Sequence, residues 1–282
     1  MSIFSRRVLL GMPLLAAGCT QARMLAAVDA LTSDSGSLKV AGAAFGPHPR
    51  QKLDLYAPPD ARDRPVVLFL YGGGWRQGDR AAYRFVAEAL VARGMVAIIA
   101  DYRLAPEAKF PDFVEDFALA AGWAKQHAAD HGGDPRKLAV LGHSAGAYNA
   151  LVGVLDPRWL AAVGMQPRAI AQLVALAPPT GLELPRSRRL APVFAAADPP
   201  GSAWPIRLAS TGASEAPPIT LVGGAADVII QAADVRALGA AIQAGGGRAE
   251  TLILPEAGHV EVLGDLWWGS ARAEAWVPRL IG

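Results

Sequence analysis

The sequence LAVLGHSAGAYNALVGVL, residues 138–155, changes its pattern at the glycines around Ser144. Leu138–Gly142 is a continuous apolar run, which is typical of a buried parallel strand. Ser144–Leu155 has the length and the spacing of a helix. The glycines on either side of the serine allow a sharp turn, because glycine adopts backbone angles that side chains disfavour. These residues therefore predict a strand, a tight turn and a helix, with Ser144 at the turn.

Segments with strand and helix patterns alternate along the rest of the chain. The predicted strands are Gln51–Tyr56, Val66–Leu70, Met95–Ala100, Ala169–Ala175, Ile219–Val222 and Thr251–Leu254. The predicted helices are Arg80–Arg93, Asp112–His127, Gln231–Ala244 and one near Arg272–Leu280. This alternation predicts an α/β fold with a doubly wound, mostly parallel sheet, in which ligands bind at the carboxyl ends of strands.

The composition favours one domain and indicates neither a nucleic-acid surface nor a metal site. The chain has 282 residues, 52% hydrophobic and 18% charged, which is enough for a large core, and we place the domain at residues 38–282. The formal net charge is only +2, and the cluster Arg186, Arg188 and Arg189 is predicted to be a solvated loop. Five histidines lack ligand spacing and the one cysteine stands alone, so no metal or other cofactor is predicted.

The N-terminal residues have the pattern of an export signal. The apolar run Val8–Ala17 is too short to cross a bilayer but fits the centre of a signal peptide over residues 1–18. Residues 15–19 resemble a bacterial lipoprotein signal, in which Cys19 becomes the lipidated first residue, and residues 5–10 resemble a twin-arginine motif. We expect an exported protein on the periplasmic side, anchored to the membrane at Cys19, with residues 19–37 as a tether. The alternative is an uncleaved N-terminal helix with a chance cysteine.

Ser144 needs a base and an acid if it is to act as a nucleophile, because a serine hydroxyl alone is weakly reactive. When a serine in a G-x-S-x-G turn is the nucleophile, as the present pattern predicts, the acid and then the histidine follow it in the chain. His259 is the one histidine after Ser144, and it lies just beyond the last predicted strand. Asp227 follows the strand Ile219–Val222 and is the predicted acid, although it could instead cap the next helix. The weaker candidates for the acid are Asp198, Asp234 and Glu256.

A run of three glycines follows the strand Val66–Leu70 and predicts an oxyanion hole. Glycines let main-chain N–H groups approach a developing negative charge. The predicted donors are the N–H groups of Gly73, Gly74 and Ala145. A phosphate-binding loop is the rival interpretation. It would require the pattern G-x-x-x-x-G-K-[ST] or G-x-G-x-x-G, and neither occurs after this strand. Trp75, next in the chain, is predicted to line the mouth of the substrate pocket.

Five motifs in this order resemble bacterial carboxylesterases related to hormone-sensitive lipase and to the feruloyl-esterase and kynurenine-formamidase-like branch. They are Tyr71–Trp75, Asp101–Glu107 with Phe110-Pro111, Gly142–Gly146, Gly224–Asp227 and Gly258-His259, spread over about residues 45–265. The resemblance implies the α/β-hydrolase fold and hydrolysis of carboxylic esters. The sequence departs from the pattern at Tyr71, where histidine is usual, and at His143, where aspartate is usual. Asp101 and Arg103 are predicted to pair and to support the loop beside Ser144.

The stretch Thr180–Pro218 is rich in proline and predicts an irregular small lid or pocket wall rather than a large cap domain. A modest pocket favours short-chain or small aryl esters. An amidase or arylformamidase with the same three residues stays open as an alternative. So does a non-catalytic, lipid-tethered binding protein on the same scaffold, because a fold does not specify a function.

Overall fold

Eight strands and seven α-helices account for most of the regular structure in the described part of the chain. The computed structural model describes residues 36–181, 190–197 and 201–281. The strands are β1 (Leu38–Ala44), β2 (Lys52–Tyr56), β3 (Arg64–Leu70), β4 (Val96–Ala100), β5 (Gly133–His143), β6 (Gln172–Leu176), β7 (Ile219–Gly224) and β8 (Ala249–Leu254). The α-helices are α1 (Arg84–Val91), α2 (Asp112–His127), α3 (Ala145–Leu155), α4 (Arg158–Ala161), α5 (Pro205–Gly212), α6 (Ala232–Ala244) and α7 (Glu261–Trp268).

Short 3-10 helices fill several of the connections. They are Arg80–Tyr83, Ala128–His131, Pro167–Ala169, Ala191–Phe194, Ala213–Glu215, Ala273–Ala275 and Val277–Leu280. Within the described ranges, no helix is long and apolar enough to cross a membrane. The predicted signal peptide, Cys19 and the arginine cluster at 186–189 lie outside the described residues.

The strands form one sheet in the order β1-β2-β4-β3-β5-β6-β7-β8. All neighbours from β4 to β8 run parallel, whereas β2 is antiparallel to both β1 and β4. The five residues from Val66 to Leu70 are fully buried, as expected for a strand covered on both faces. The predicted mostly parallel α/β sheet is confirmed. Parallel strands bring their carboxyl ends to one edge, so the loops after β3, β5, β7 and β8 lie together.

The position of α3 depends on two glycines. A Cβ atom on Gly142 would lie 2.5 Å from the Cα of Ala147, and one on Gly146 would lie 2.2 Å from the carbonyl oxygen of Leu70. Real Cβ atoms do not approach other atoms this closely. The helix therefore packs against β3 and β5 at a distance that only glycine permits, and all its residues are buried.

Three parts of the predicted secondary structure are wrong. β1 was not predicted, because its small residues alternate weakly and the register with β2 shifts twice. The last α-helix is α7, and the predicted helix near Arg272–Leu280 consists of two 3-10 turns, one with a proline at its start. The stretch Thr180–Pro218 is not irregular throughout, because α5 begins at Pro205, a residue that suits the first helical position.

Gly146→Ala should destabilise the fold, because the added methyl group would meet the main chain of β3 at 2.2 Å. Such overpacking costs about 1–3 kcal/mol or more. Urea denaturation measures the change in the free energy of unfolding.

Gly122→Ala, inside α2, is the matched control, because its Cβ would make ordinary contact with Val163 at 3.4 Å. We expect it to leave stability unchanged or to raise it by up to about 1 kcal/mol through helix propensity. Equal effects of the two substitutions would contradict the close approach of α3 to β3.

Candidate active site

Ser144 occupies the sharp turn between β5 and α3. Its φ is 52° and its ψ is −119°, a conformation that few residues with side chains adopt. The Ser144 N–H donates to the carbonyl oxygen of Leu176 at the end of β6, 2.9 Å away. Because the N-terminus of a helix carries partial positive charge, the position at the start of α3 suits a group near which negative charge develops.

The structure brings Ser144, His259 and Asp227 into one hydrogen-bonded row. The Oγ of Ser144 lies 2.9 Å from Nε2 of His259, and Nδ1 of His259 lies 2.9 Å from Oδ2 of Asp227. Asp227 follows β7 and His259 follows β8. The carboxylate at His259 is thus that of Asp227 rather than of Asp234 or Glu256, while Asp198 lies outside the described residues.

The surroundings of Asp227 keep its carboxylate ionised. Its Oδ1 accepts hydrogen bonds from the main-chain N–H groups of Ile229 and Ile230, at 2.8 and 2.9 Å. Burial acts to raise the pKa of Asp227, but the hydrogen bond and charge of His259 and the two N–H donors together hold it below its ordinary value. An ionised Asp227 accepts a hydrogen bond from the Nδ1–H group of His259. Nε2 of His259 then carries a lone pair, which can accept the hydroxyl proton of Ser144.

The glycine loop after β3 passes directly beside Ser144. A Cβ atom on Gly72 would lie 2.9 Å from the Cβ of Ser144. Gly73 and Gly74 have φ values of 133° and 61°, and a Cβ on Gly73 would lie 2.0 Å from the carbonyl oxygen of Gln77. The loop therefore folds back tightly on itself, and Gly72 lies beside the turn that precedes α3.

Trp75 lies in the core instead of at the pocket mouth expected from the sequence. Its ring is 1% exposed, and Nε1 donates to Oδ1 of Asn149 at 2.8 Å. The rings of Phe113, Tyr148 and Phe194 pack around it, with centroids 5.0–5.6 Å away. Trp75 has a positive φ of 57°, and its indole reaches Asn149 on α3.

A buried polar network supports the glycine loop. Tyr71, which stands just before the glycines, donates its hydroxyl to Oδ1 of Asp101 at 2.6 Å. Arg80 binds the other oxygen of Asp101 at 2.6 Å, and Arg50 donates to both the Tyr71 hydroxyl and the carbonyl of Gly78, each at 2.8 Å. Burial and then the charge of Asp101 raise the pKa of Tyr71 well above its ordinary value, so the phenol keeps its proton.

The predicted pair between Asp101 and Arg103 is wrong. Asp101 binds Arg80, whereas Arg103 forms ion pairs with three acidic side chains in the first turns of α2. The chain leaves β4 after Ala100, so the side chains of these two residues reach different neighbours. The acidic partners of Arg103 are Asp112, Glu115 and Asp116.

Sequence reasoning assigned no role to His143, which contacts the site residue His259, or to Asn149, which contacts the buried Trp75. Nε2 of His143 lies 2.8 Å from the carbonyl oxygen of His259, and Asn149 accepts the Trp75 indole N–H. The place of His143 next to Ser144 was the signal available in the sequence. Across the described part of the chain, no cluster of three or more metal-ligating side chains occurs.

Solved structures identify the architecture. Esterase B from Lactobacillus Rhamnosis superposes with a TM-score of 0.77 at 19% identity and covers 94% of this chain and 91% of that one. The chain has the α/β-hydrolase fold. The thermophilic esterase Est2 from Thermogutta terrifontis is similar too, with a TM-score of 0.67 at 26% identity over 86% of this chain and 93% of that one.

Sequence comparisons cover a smaller part of the α/β-hydrolase domain. The BD-FAE family model matches residues 53–160, which include the glycine loop and Ser144. Carboxylesterase NlhH of Mycobacterium tuberculosis is 43% identical over 94 residues, 33% of this chain and 30% of that protein. The chain matches only about a quarter to a third of the length of its curated relatives.

Asp101→Asn should lower the free energy of unfolding for two reasons. A neutral amide cannot balance the charge of Arg80, and its NH₂ group would face the groups of Tyr71 and Arg80 that donate hydrogen bonds to Asp101. Asp101 is 3% exposed, and removal of one partner of a buried pair costs about 3 kcal/mol. Urea denaturation gives the free energy of unfolding.

Glu107→Gln is the control, because the Glu107 side chain, which pairs with His48, is 73% exposed. Surface pairs contribute less than about 1 kcal/mol. An Asp101→Asn protein as stable as the control would show that the network does not stabilise the glycine loop.

Proposed function

We propose that this protein is a carboxylesterase that hydrolyses short-chain or small aryl esters through a Ser144, His259 and Asp227 triad. The observation that carries the proposal is the hydrogen-bonded row, with 2.9 Å on each side of the His259 ring. In this arrangement His259 is the general base and Asp227 holds its ring in the required tautomer.

Hydrolysis proceeds in two steps. The Ser144 Oγ attacks the ester carbonyl carbon while its proton passes to Nε2 of His259. The tetrahedral intermediate then collapses, the C–O bond to the alcohol breaks, and the alkoxide takes the proton back from His259. Water then attacks the acyl-enzyme while Nε2 of His259 takes one of its protons. When this second tetrahedral intermediate collapses, the bond between the acyl carbon and Ser144 Oγ breaks. Ser144 takes the proton from His259, and the carboxylic acid leaves. Asp227 stays ionised throughout and stabilises the imidazolium form of His259.

The oxyanion of the tetrahedral intermediate is assigned to the N–H groups of Gly73, Gly74 and Ala145. The close approach of Gly72 to Ser144 supports this assignment, as does the position of Ala145 at the positive end of α3. Loss of one such donor removes about 2.7–4 kcal/mol of transition-state stabilisation.

The proposed preference for small substrates rests on the packing beside the site. Phe194, in the stretch predicted to be a lid or pocket wall, packs on Trp75 and Tyr148, and the N–H of Phe110 donates to the carbonyl of Val193 at 2.8 Å. These contacts attach the segment to the core, and we propose that it forms a fixed pocket wall that favours short acyl chains. The esterase names of the similar proteins support hydrolysis of esters as the reaction.

We further propose that the mature protein is exported and lipidated at Cys19. The support is the sequence pattern alone: two arginines, a short apolar run and small residues before the cysteine. A lipid on Cys19 would tether the catalytic domain to a membrane surface on the periplasmic side.

Ser144→Ala should lower kcat on p-nitrophenyl acetate by about 10⁴–10⁶-fold, because the variant lacks the nucleophile. A fluorophosphonate probe should label the parent at Ser144 and leave the variant unlabelled. Steady-state kinetics and peptide mass spectrometry provide the two readouts. The parent should prefer acetate and butyrate over octanoate esters.

Ser210→Ala, on the exposed side of α5, is the control and should keep parental turnover and labelling. A parent chain that is neither labelled nor active on any ester would refute the carboxylesterase and favour a non-catalytic binding protein. A parent active on formanilides but not on esters would favour an amidase.

Cys19→Ser should move the protein from the membrane fraction to the soluble fraction of expressing bacteria, because serine cannot form the thioether to the lipid. Thr20→Ser keeps the cysteine and is the control. Fractionation and intact mass measure the change. A parent with an unmodified Cys19 thiol would rule out the anchor.

A further inference from the structure

We propose that His143 is a positioning residue, which holds the main chain of the base His259 through a neutral N–H donor. This inference rests on the proposed function, because it concerns the placement of the same base. It gives a role to the histidine that directly precedes Ser144 in the chain.

The contact defines the tautomer of His143. Its Nε2 lies 2.8 Å from the carbonyl oxygen of His259, and a carbonyl oxygen only accepts hydrogen bonds. Nε2 therefore carries the proton, and Nδ1 carries a lone pair. Nδ1 is buried without a hydrogen-bond partner in the described part of the chain.

The ring of His143 lies between the two loops that build the site. On one side is the His259 carbonyl. On the other side, a Cβ on Gly72 would lie 2.8 Å from Nδ1 of His143, so the ring packs directly on the glycine loop. With 1% of its surface exposed, the ring fixes the spacing between the base and the proposed oxyanion donors.

A neutral donor suits this position better than a charged group. Burial, and then the charge of His259, lower the pKa of His143 to about 3, so the ring stays uncharged near neutral pH. The centroids of the two histidine rings are 5.2 Å apart. A cation at position 143 would oppose the imidazolium that forms on His259, and a carboxylate would offer no proton to its carbonyl.

Loss of the donor should affect the chemical step more than substrate binding. The Nε2 of His259 must face Ser144 Oγ at 2.9 Å, and the carbonyl held by His143 belongs to the same residue. A misplacement of about 1 Å in a catalytic group can lower the rate about 100-fold. The contact joins His143 to the main chain of His259 and includes no group assigned to substrate binding.

His143→Gln and His143→Met form a matched pair for the test. In both, the side chain extends as many atoms from Cα as Nε2 of the histidine does, but only glutamine carries an N–H at that atom. We expect His143→Met to lower kcat about 10–100-fold with KM changed less than about threefold, and His143→Gln to retain kcat within about fivefold. Active sites are counted with a fluorophosphonate, and thermal unfolding verifies that both variants fold.

A space-filling role predicts a different result. If both folded variants keep the parental kcat per titrated site, or both lose it equally, the donor does not position His259. If the parent itself shows no ester turnover and no labelling, the proposed function fails. This result differs from the two results above, in which the parent is active and only the positioning role of His143 fails.

A second measurement applies even if the methionine variant does not fold. In the parent, ¹⁵N NMR of labelled histidines should show His143 as the neutral Nε2–H tautomer from pH 8 down to about pH 5. A proton on Nδ1 instead, or a charged ring at neutral pH, would overturn the proposal.

Discussion

The close approach of α3 to the central strands is the constraint on which the site depends. A side chain at Gly142 or Gly146 would push this helix away from β3 and β5, because a Cβ there would lie 2.5 Å or less from the main chain that it faces. Ser144 lies between the two glycines, with its N–H bound to the end of β6. Three parallel strands thus fix the serine, and the strained backbone at Ser144 is held by packing on both sides.

Main-chain hydrogen bonds that do not involve Ser144 hold the segments of Asp227 and His259 against each other. The N–H of Ala226 donates to the carbonyl of Ala257 at 2.9 Å, and the N–H of Ala225 donates to Leu254 at 3.0 Å. These bonds join the loop after β7 to the end of β8 and to the loop that follows β8. Because main-chain bonds hold both loops, the row of side chains is pre-organised, which reduces the reorganisation needed during a reaction.

The buried polar network beside the glycine loop carries a desolvation cost, but it also holds the loop in place. It buries Asp101 beside Tyr71 and Arg80, and burial of charge is unfavourable unless every group is paired. Here the carboxylate accepts three hydrogen bonds, from Tyr71 and from the main chain and side chain of Arg80. Stacking of Tyr71 on Tyr83, with centroids 5.1 Å apart, holds the phenol in place. The tyrosine thus anchors the start of the glycine loop.

The sequence by itself determined the α/β fold, the turn at Ser144 and the candidate partners His259 and Asp227. Each of these depends on local patterns: apolar runs, glycine spacing and the order of strands. The tertiary structure alone decided that Trp75 is buried, that Asp101 binds Arg80 and not Arg103, and that His143 contacts His259. His143 and His259 are 116 positions apart in the chain. Side-chain partners of this kind depend on which strands become neighbours and how closely they pack, and local periodicity carries no information about either.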